Sequence, residues 1–167
     1  TGLGIGQRVG IEPEHLIAAL LEDPEGLIPR LFESIGLSVA DVRKAFADTL
    51  ARFPQATGDT QIRMGSDLAK ALRESEKIAK SFKDEYTSVE HLLLGIVEGV
   101  PNSNASKALA RFGVNAAKLR EAIKKVRGTQ RVTTPDEFWT AIRGRTGQVR
   151  LTLGKNPVET ALHVVGE

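Results

Sequence analysis

One short apolar sequence occurs twice in this chain. Residues 12–23 read EPEHLIAALLED and residues 88–99 read SVEHLLLGIVEG, so the two stretches align with an offset of 76 residues. Within each stretch the apolar residues recur every three or four positions, which is the spacing of an amphipathic helix. The matching pairs are Glu14/Glu90, His15/His91, Leu16/Leu92, Ile17/Leu93, Leu20/Ile96, Leu21/Val97 and Glu22/Glu98. A helix sequence that occurs twice predicts a structural unit that occurs twice.

The start of each repeated helix carries residues that favour a helix N-terminus. Glu12 and Ser88 fall at the cap position, and Pro13 falls at the first helical position of the first copy. Glu14 and Glu90 follow in the first turn, where a carboxylate is favoured by the exposed amides and by the helix dipole. We therefore expect two short buried helices that begin at equivalent residues.

The correspondence resumes, after one additional residue, at an offset of 77. Gly36 aligns with Gly113, and each glycine is predicted to end a second helix. A longer third helix is expected over 38–51 in the first copy and over 115–127 in the second. Another helix is predicted over 66–83, ahead of the second copy. None of these segments has a pattern typical of a strand.

The predicted fold is all-α, with two four-helix repeats related by a pseudo-twofold axis and packed as one domain. One unit of this size cannot bury its apolar face alone, whereas two can, and 41% of the 167 residues are apolar. We expect repeat 1 over residues 1–52, an inter-repeat linker over 53–65 and repeat 2 over 66–128. Residues 129–155 are a linker or extension to which the sequence assigns no role.

The first repeat lacks the helix that opens the second. The closing segment 156–167 is predicted to supply it, as a helix over 156–165 that packs against Ile17 and Leu20. In this interpretation the last residue of the chain lies close to the first. Such a chain would be a circular permutant of the two-repeat unit, or one whose numbering does not follow the natural order.

The histidine beside each first-turn carboxylate is the main candidate for a metal ligand. A zinc site would have to combine His15 and His91 with Glu14 and Glu90. The two members of each pair are adjacent in sequence, so their side chains diverge by about 100° around a helix, unlike the i, i+4 histidines of a metalloprotease helix. We therefore interpret each histidine as satisfied by nearby backbone groups, and we predict neither a metal nor a cofactor.

Several further kinds of chemistry are excluded by residue content. The chain has no cysteine, which excludes disulfides and thiol catalysis and favours a reducing compartment, the cytoplasm by default. It has neither a Ser-His-acid arrangement nor a phosphate-binding loop with its lysine. No apolar run is long enough to cross a membrane, and no signal peptide is recognisable. We expect a protein that is not an enzyme and has no membrane partner.

Basic residues are concentrated in one stretch, where residues 118–155 hold ten Lys or Arg against three Asp or Glu. Such a stretch is compatible with nucleic acid or with an acidic partner. It contains no helix-turn-helix pattern, metal finger or run of alternating basic and aromatic residues. We therefore do not expect nucleic acid to be a partner.

The doubled EHLL helices, their spacing, and the segments KDEYTSVEHLLLGIVEG and VRGTQRVT resemble the amino-terminal Clp repeat domain of Clp-type ATPases, most of all the ClpB disaggregases. The resemblance covers residues 1–133. It implies a non-catalytic accessory domain of a chaperone of the stress response. Such a domain works with the ATPase modules of a hexamer, engages unfolded or aggregated polypeptide, and is followed by a linker helix. Residues 134–136, Thr-Pro-Asp, mark the expected start of that helix, whose apolar residues are Phe138, Trp139 and Ile142.

The resemblance also implies a position for substrate binding. In ClpB-like domains a groove between the repeats is lined by the first helix of the second repeat and edged by acidic groups, and these map here onto Leu72, Ile78, Asp84 and Glu90. The alternative for Asp84 is a solvated turn carboxylate, and for Glu90 a residue that compensates the helix dipole. The alternative function is docking of a dedicated adaptor protein, as in related Clp protease ATPases.

Overall fold

The computed structural model describes residues 8–53 and 61–128, together with the backbone of three strands after residue 135. Seven helices and two small sheets occur in this part of the chain, and none of these helices is long and apolar enough to cross a membrane. The helices are α1 (Pro13–Leu20), α2 (Leu27–Ser34), α3 (Val39–Leu50), α4 (Ser66–Ser81), α5 (Val89–Gly99), α6 (Asn104–Arg111) and α7 (Ala116–Arg127). The strands are β1 (Arg8–Ile11), β2 (Gln61–Met64), β3 (Asp136–Ala141), β4 (Gln148–Leu153) and β5 (Ala161–Val165).

The mainly helical fold and the repeated helices are confirmed. The paired helices α1 and α5 begin at residues 13 and 89, α2 and α6 at 27 and 104, and α3 and α7 at 39 and 116, so their starts are separated by 76 and then 77 residues. Among the described residues, α4 has no helical counterpart in the first repeat. The pseudo-twofold axis and the division of the chain into domains stay predictions.

Both predicted glycine stops end a helix by the same hydrogen bonds. Gly36 and Gly113 adopt the left-handed conformation, with φ of 86° and 85°. The amide of the following residue, Leu37 or Val114, then donates over 3.0 Å to a carbonyl five residues earlier, which closes the last turn of α2 or α6. A residue with a Cβ adopts this conformation only at an energetic cost, so glycine is favoured at the turn.

Replacing Gly36 with alanine is expected to lower the free energy of unfolding by about 1 kcal/mol, which is the cost of a left-handed residue that has a Cβ. The space around the position is open, because a Cβ there would have no other atom within 4 Å. The loss therefore measures the backbone alone. Urea unfolding of Gly36→Ala and Gly36→Asn tests this, since asparagine tolerates the left-handed region and should cost less. Equal losses for the two variants would contradict the explanation.

One apolar core contains side chains from both repeats. Phe32 and Phe46 from the first repeat and Leu68, Leu92 and Leu93 from the second are all buried in it. Burial of such a side chain contributes about 1.5–3 kcal/mol each. The two repeats therefore share the core that neither provides alone.

Two glycines let α5 approach α4 closely. A Cβ on Gly95 would lie 2.5 Å from the carbonyl oxygen of Ala71, and a Cβ on Gly99 would lie 2.9 Å from the Cβ of Glu74. Both distances are shorter than atoms tolerate, so the helix contact depends on the missing side chains. This contact fixes the direction in which α5 leaves the loop that precedes it.

A parallel pair of short strands lies where no strand was predicted. β1 and β2 pair from Arg8 with Gln61 to Ile11 with Met64, and they lead directly into α1 and α4. β2 falls within the segment 53–65, which was predicted as a linker. Four residues are too few for an alternating pattern to be recognised, and the pairing of distant segments leaves no local signal.

The extension after α7 contains an antiparallel sheet of order β3-β4-β5. The short helix predicted to begin at 134–136 is wrong, because Asp136–Ala141 forms β3. The helix predicted over 156–165 is also wrong, because Ala161–Val165 forms β5 and pairs with β4. The circular-permutation interpretation required that helix and loses its basis. Residues 156–160 and the two chain ends, predicted to lie together, fall outside the described residues.

The reason for both errors lies in the period of the sequence. QVRLTL in β4 alternates polar and apolar residues, which is the pattern of a strand, and both neighbouring strands contain aromatic or β-branched residues. A segment of ten residues satisfies a helical period by chance more easily than a long one. In the fold, β3 lies beside α1, on the repeat that the predicted helix was expected to complete.

Candidate substrate-binding site

The structure places the four predicted site residues in two different environments. Ile78 belongs to the core and is 3% exposed, whereas Leu72 packs on the core and is half-buried. Asp84 and Glu90 are brought together, but the side chain of Asp84 is fully buried and that of Glu90 is 4% exposed. The alternative of a solvated turn carboxylate is therefore wrong for Asp84. The role of the four residues in substrate binding stays a prediction.

Arg127, the last residue of α7, joins the two carboxylates. Its Nη2 donates to Asp84 Oδ1 over 2.7 Å, and its Nη1 lies 3.3 Å from Glu90 Oε2. Burial acts to lower the pKa of Arg127, but the hydrogen bond that it donates to Asp84 and the charges of both carboxylates together raise it. The guanidinium is thus a fixed positive charge between two buried acids.

His91 connects the same carboxylate to the start of α5. The amide of Ser88 donates to its Nδ1 over 2.8 Å, so the ring proton resides on Nε2, which donates to Asp84 Oδ2 over 2.7 Å. The hydroxyl of Ser88 contacts Glu90. Burial lowers the pKa of His91 below its usual value, so the ring is neutral at neutral pH. We call these five residues, Asp84, Ser88, Glu90, His91 and Arg127, the Arg127 cluster.

The end of α4 determines where Asp84 lies. Lys83 takes the left-handed conformation, with φ of 62°, and the amide of Asp84 donates to the carbonyl of Ala79 over 3.0 Å. This is the same turn that ends α2 and α6, here with lysine in place of glycine. The local turn thereby directs Asp84 inward toward α5 and α7.

An aromatic ring covers one side of the cluster. The ring of Phe82 meets the ring of His91 edge to face, with the centroids 5.3 Å apart. The guanidinium groups of Arg120 and Arg127 lie 5.7 Å and 5.8 Å from the centroid of Phe82. Both distances are within the range of a cation–π contact. Arg120 is also held by Glu98 through two hydrogen bonds of 2.7 Å and 2.9 Å.

In the first repeat, His15 is the counterpart of His91, but the residues around it are different. The amide of Glu12 donates to His15 Nδ1 over 2.9 Å, and the His15 ring meets Phe53 at a centroid distance of 5.1 Å. The predicted backbone contact is confirmed at Nδ1 of both histidines, whereas Nε2 of His91 donates to the Asp84 carboxylate. At the offset of 77 the counterpart of Arg127 is Leu50, and Glu14, the counterpart of Glu90, forms no ion pair with any described Lys or Arg. Burial raises the pKa of Glu14 to about 7.

The sequence analysis did not identify Arg127 and Ser88 as members of the Arg127 cluster, or Phe82 as the ring that packs against it. A signal existed for Arg127, because an arginine that replaces leucine at a repeat position indicates a contact specific to one repeat. Among the described residues, no group of three or more His, Cys, Asp or Glu side chains is placed to hold a metal ion. The arrangement can fix a loop and its charges, but it offers no reacting group to solvent.

The family is decided by comparison with known proteins. The Clp repeat (R) N-terminal domain matches residues 7–101, more than half of the chain. The chain belongs to this family. The chaperone protein ClpB of Mycobacterium tuberculosis (strain H37Rv) is 39% identical over 127 residues, which is 75% of this chain and 15% of that protein. ClpB of Clostridium tetani is 32% identical over 155 residues, which is 90% of this chain and 17% of that protein.

A solved structure supports the fold. The N-terminal domain of Hsp104 from Candida albicans superposes with a TM-score of 0.62 at 20% identity, over 74% of this chain and 79% of that one. At this identity the likeness establishes the fold alone. The chain spans about one sixth of the length of its ClpB relatives, since the matched shares are 15% and 17%.

Proposed function

We propose that the chain is a non-catalytic, substrate-engaging domain of a protein disaggregase or unfoldase. It binds exposed apolar segments of unfolded or aggregated polypeptide between its repeats and transfers them to the ATPase modules of a hexamer. Membership of the Clp repeat N-terminal family, with relatives named as the chaperone ClpB, carries this proposal. Lack of cysteine agrees with a reducing compartment such as the cytoplasm.

The packing of the second repeat supports a division of roles among the four predicted residues. Leu72 is half-buried and keeps apolar surface available, so it is the residue that contacts the client. Ile78 supports α4 from the core, and Asp84 and Glu90 act through Arg127 as positioning residues that fix the loop between α4 and α5. Phe82 and Val89, at the two ends of that loop, are half-buried apolar residues of the same kind as Leu72.

Weak binding suits this role. A small apolar contact exceeds the entropic cost of association by little, so the client is held briefly and without a sequence code. A domain that bound tightly would oppose transfer of the client to the ATPase.

The proposal is tested by titrating the ¹⁵N-labelled protein with an unfolded apolar polypeptide and with the same polypeptide in its folded form. Only the unfolded form is expected to shift amide resonances around Leu72 and the loop 82–88. Leu72→Ser should weaken binding about fivefold, because about 1 kcal/mol of apolar burial is lost. Leu27→Ser is the matched control, since Leu27 is a half-buried leucine of the other repeat and should have no effect.

Three results would contradict the proposal. Shifts that cluster on the basic segment 118–155, or equal shifts with folded and unfolded forms, would exclude selective binding of apolar clients. A single stoichiometric partner whose binding is abolished by salt would instead favour adaptor docking, because adaptor contacts depend on charge.

A further inference from the structure

A basic cleft lies where the two repeats meet, and none of the residues of the Arg127 cluster lines it. It has a volume of about 240 Å³ and is bounded by α3 of the first repeat and α6 of the second, with Glu14 of α1 between them. Its floor consists of Phe46, Ala108 and Glu14, which are 1%, 8% and 5% exposed. Its exposed rim carries three cations, Arg52, Lys107 and Arg111. We call this space the repeat-junction cleft.

The three cations of the rim are available for a ligand. None of them forms an ion pair or a side-chain hydrogen bond with another residue in the part of the chain that the structure describes. Two other exposed cations, Arg120 and Lys44, are paired with Glu98 and Asp48. Three like charges around one small concavity repel one another, and a bound anion removes that repulsion.

Two of the amides at the start of α6 are already engaged. Ser103 accepts from the amide of Ser106, and the amide of Ala105 favours the ionised form of Glu14. The side chains of the rim are therefore the main groups that can bind an anion in the cleft.

We propose that the repeat-junction cleft binds the carboxylate of an acidic side chain presented by a partner polypeptide. The rim cations pair with the carboxylate, and Phe46 and Ala108 contact its methylene groups. The volume of about 240 Å³ is below the roughly 300–1,000 Å³ of small-molecule and cofactor sites, which favours a single side chain. The proposal goes beyond client binding and involves none of the residues assigned to it.

The test uses the whole protein and a blocked peptide of four glutamates. Titration is expected to shift the amides of Thr49, Asn104 and Lys107, which line the cleft. A blocked peptide of four glutamines has the same length and nearly the same shape, and it should bind at least about tenfold more weakly, because charge-assisted hydrogen bonds are lost. Equal shifts with the two peptides would overturn the proposal.

Charge variants distinguish binding in the cleft from attraction by the overall charge of the protein. Arg111→Gln and Lys107→Gln should each weaken binding of the glutamate peptide by up to about fivefold, as expected for loss of one exposed ion pair. Lys124→Gln removes the same charge from an exposed position of α7 and should change affinity less than twofold. A similar loss in all three variants would mean attraction by overall charge and would overturn the proposal.

Inorganic phosphate distinguishes a small-ion site. If phosphate saturates the same amides at lower concentration than the glutamate peptide, the cleft is a phosphate site and the proposal is wrong. Failure here is distinguishable from failure of client binding, because Arg111→Gln should leave the titration with unfolded apolar polypeptide unchanged. Conversely, Leu72→Ser should leave the glutamate peptide unaffected.

Discussion

Replacing Arg127 with methionine is expected to lower the free energy of unfolding by about 3–5 kcal/mol, which is typical when one partner of a buried ion pair is removed. Methionine retains most of the aliphatic volume of the side chain, so little packing is lost. What remains is Asp84 and Glu90, both buried, without the cation that lies 2.7 Å and 3.3 Å from them. The loss therefore arises from two uncompensated carboxylates.

Urea unfolding at neutral pH measures this loss, with Lys125→Met as control. Lys125 is exposed on the same helix, and its replacement should change stability by about 0.5 kcal/mol or less. Combining Arg127→Met with Asp84→Asn and Glu90→Gln should recover much of the stability, because no buried charge is then left unpaired. If the triple variant is less stable than Arg127→Met alone, the carboxylates contribute by some means other than their pairing with arginine.

Loss of the Arg127 cluster should also affect binding, if the proposed function is correct. The cluster fixes the loop between α4 and α5, and Phe82 at its start contacts both His91 and Arg127. The triple variant is expected to retain the fold but lacks the ionic contacts. Its free energy of binding to unfolded polypeptide should therefore weaken by more than its free energy of unfolding decreases. This separates a positioning role of the cluster from a purely structural one.

The features that were predicted correctly are those whose structure depends on residues close together in the sequence. The repeated helices, the glycine stops and the histidines bound by backbone groups all depend on contacts at most five residues apart, such as Ser88 with His91. Cap residues, proline at the first helical position and glycine in a left-handed turn each have a local physical cause. Such features can be recognised in a single sequence, and the repeat makes them easier to recognise because each occurs twice.

The features that were missed depend on contacts between distant segments. Arg127 and Asp84 are 43 residues apart, and only the packing of α7 on α5 brings them together. The pairing of β1 with β2 and the sheet of β3, β4 and β5 are likewise set by the register of separate segments. The predicted helix over 156–165 failed because its local period was given more weight than the pairing of Ala161–Val165 with β4.

The pH dependence of stability is expected to differ between the wild type and Glu14→Gln. Burial raises the pKa of Glu14 to about 7, above the ordinary value of 4.5 that applies to the unfolded chain. Between these two pH values the folded state binds more protons at this site, so the Glu14 contribution to stability falls as pH rises. Above pH 7 the ionised, buried carboxylate costs about 2–3 kcal/mol. Glutamine has nearly the same shape and no charge, so Glu14→Gln should be more stable by that amount at pH 8 and equal at pH 4.

His15, the next residue, acts in the opposite direction. Burial lowers its pKa to about 4 from 6.5, so between these values the unfolded state binds more protons and stability rises with pH. His91, whose pKa is also lowered by burial, adds to this rise. In the wild type the falling contribution of Glu14 offsets part of the rising contribution of the two histidines between about pH 4.5 and 6.5. The stability of the wild type should therefore rise less steeply with pH than that of Glu14→Gln.

Glu14→Gln removes the contribution that falls as pH rises and leaves the rising contribution of the histidines. Its stability should climb by about 2–3 kcal/mol more than that of the wild type between pH 4.5 and 7. Urea unfolding at half-unit pH steps measures both profiles, with Glu121→Gln, at an exposed position of α7, as control. A difference between Glu14→Gln and wild type that is the same at every pH would show that the carboxylate is not strained by burial. The raised pKa of Glu14 and the lowered pKa of His15 occur in adjacent residues because the first-turn Glu-His pair is buried in both repeats. Among the described residues, Arg127 compensates the carboxylate of the second repeat, Glu90, and no arginine or lysine compensates Glu14.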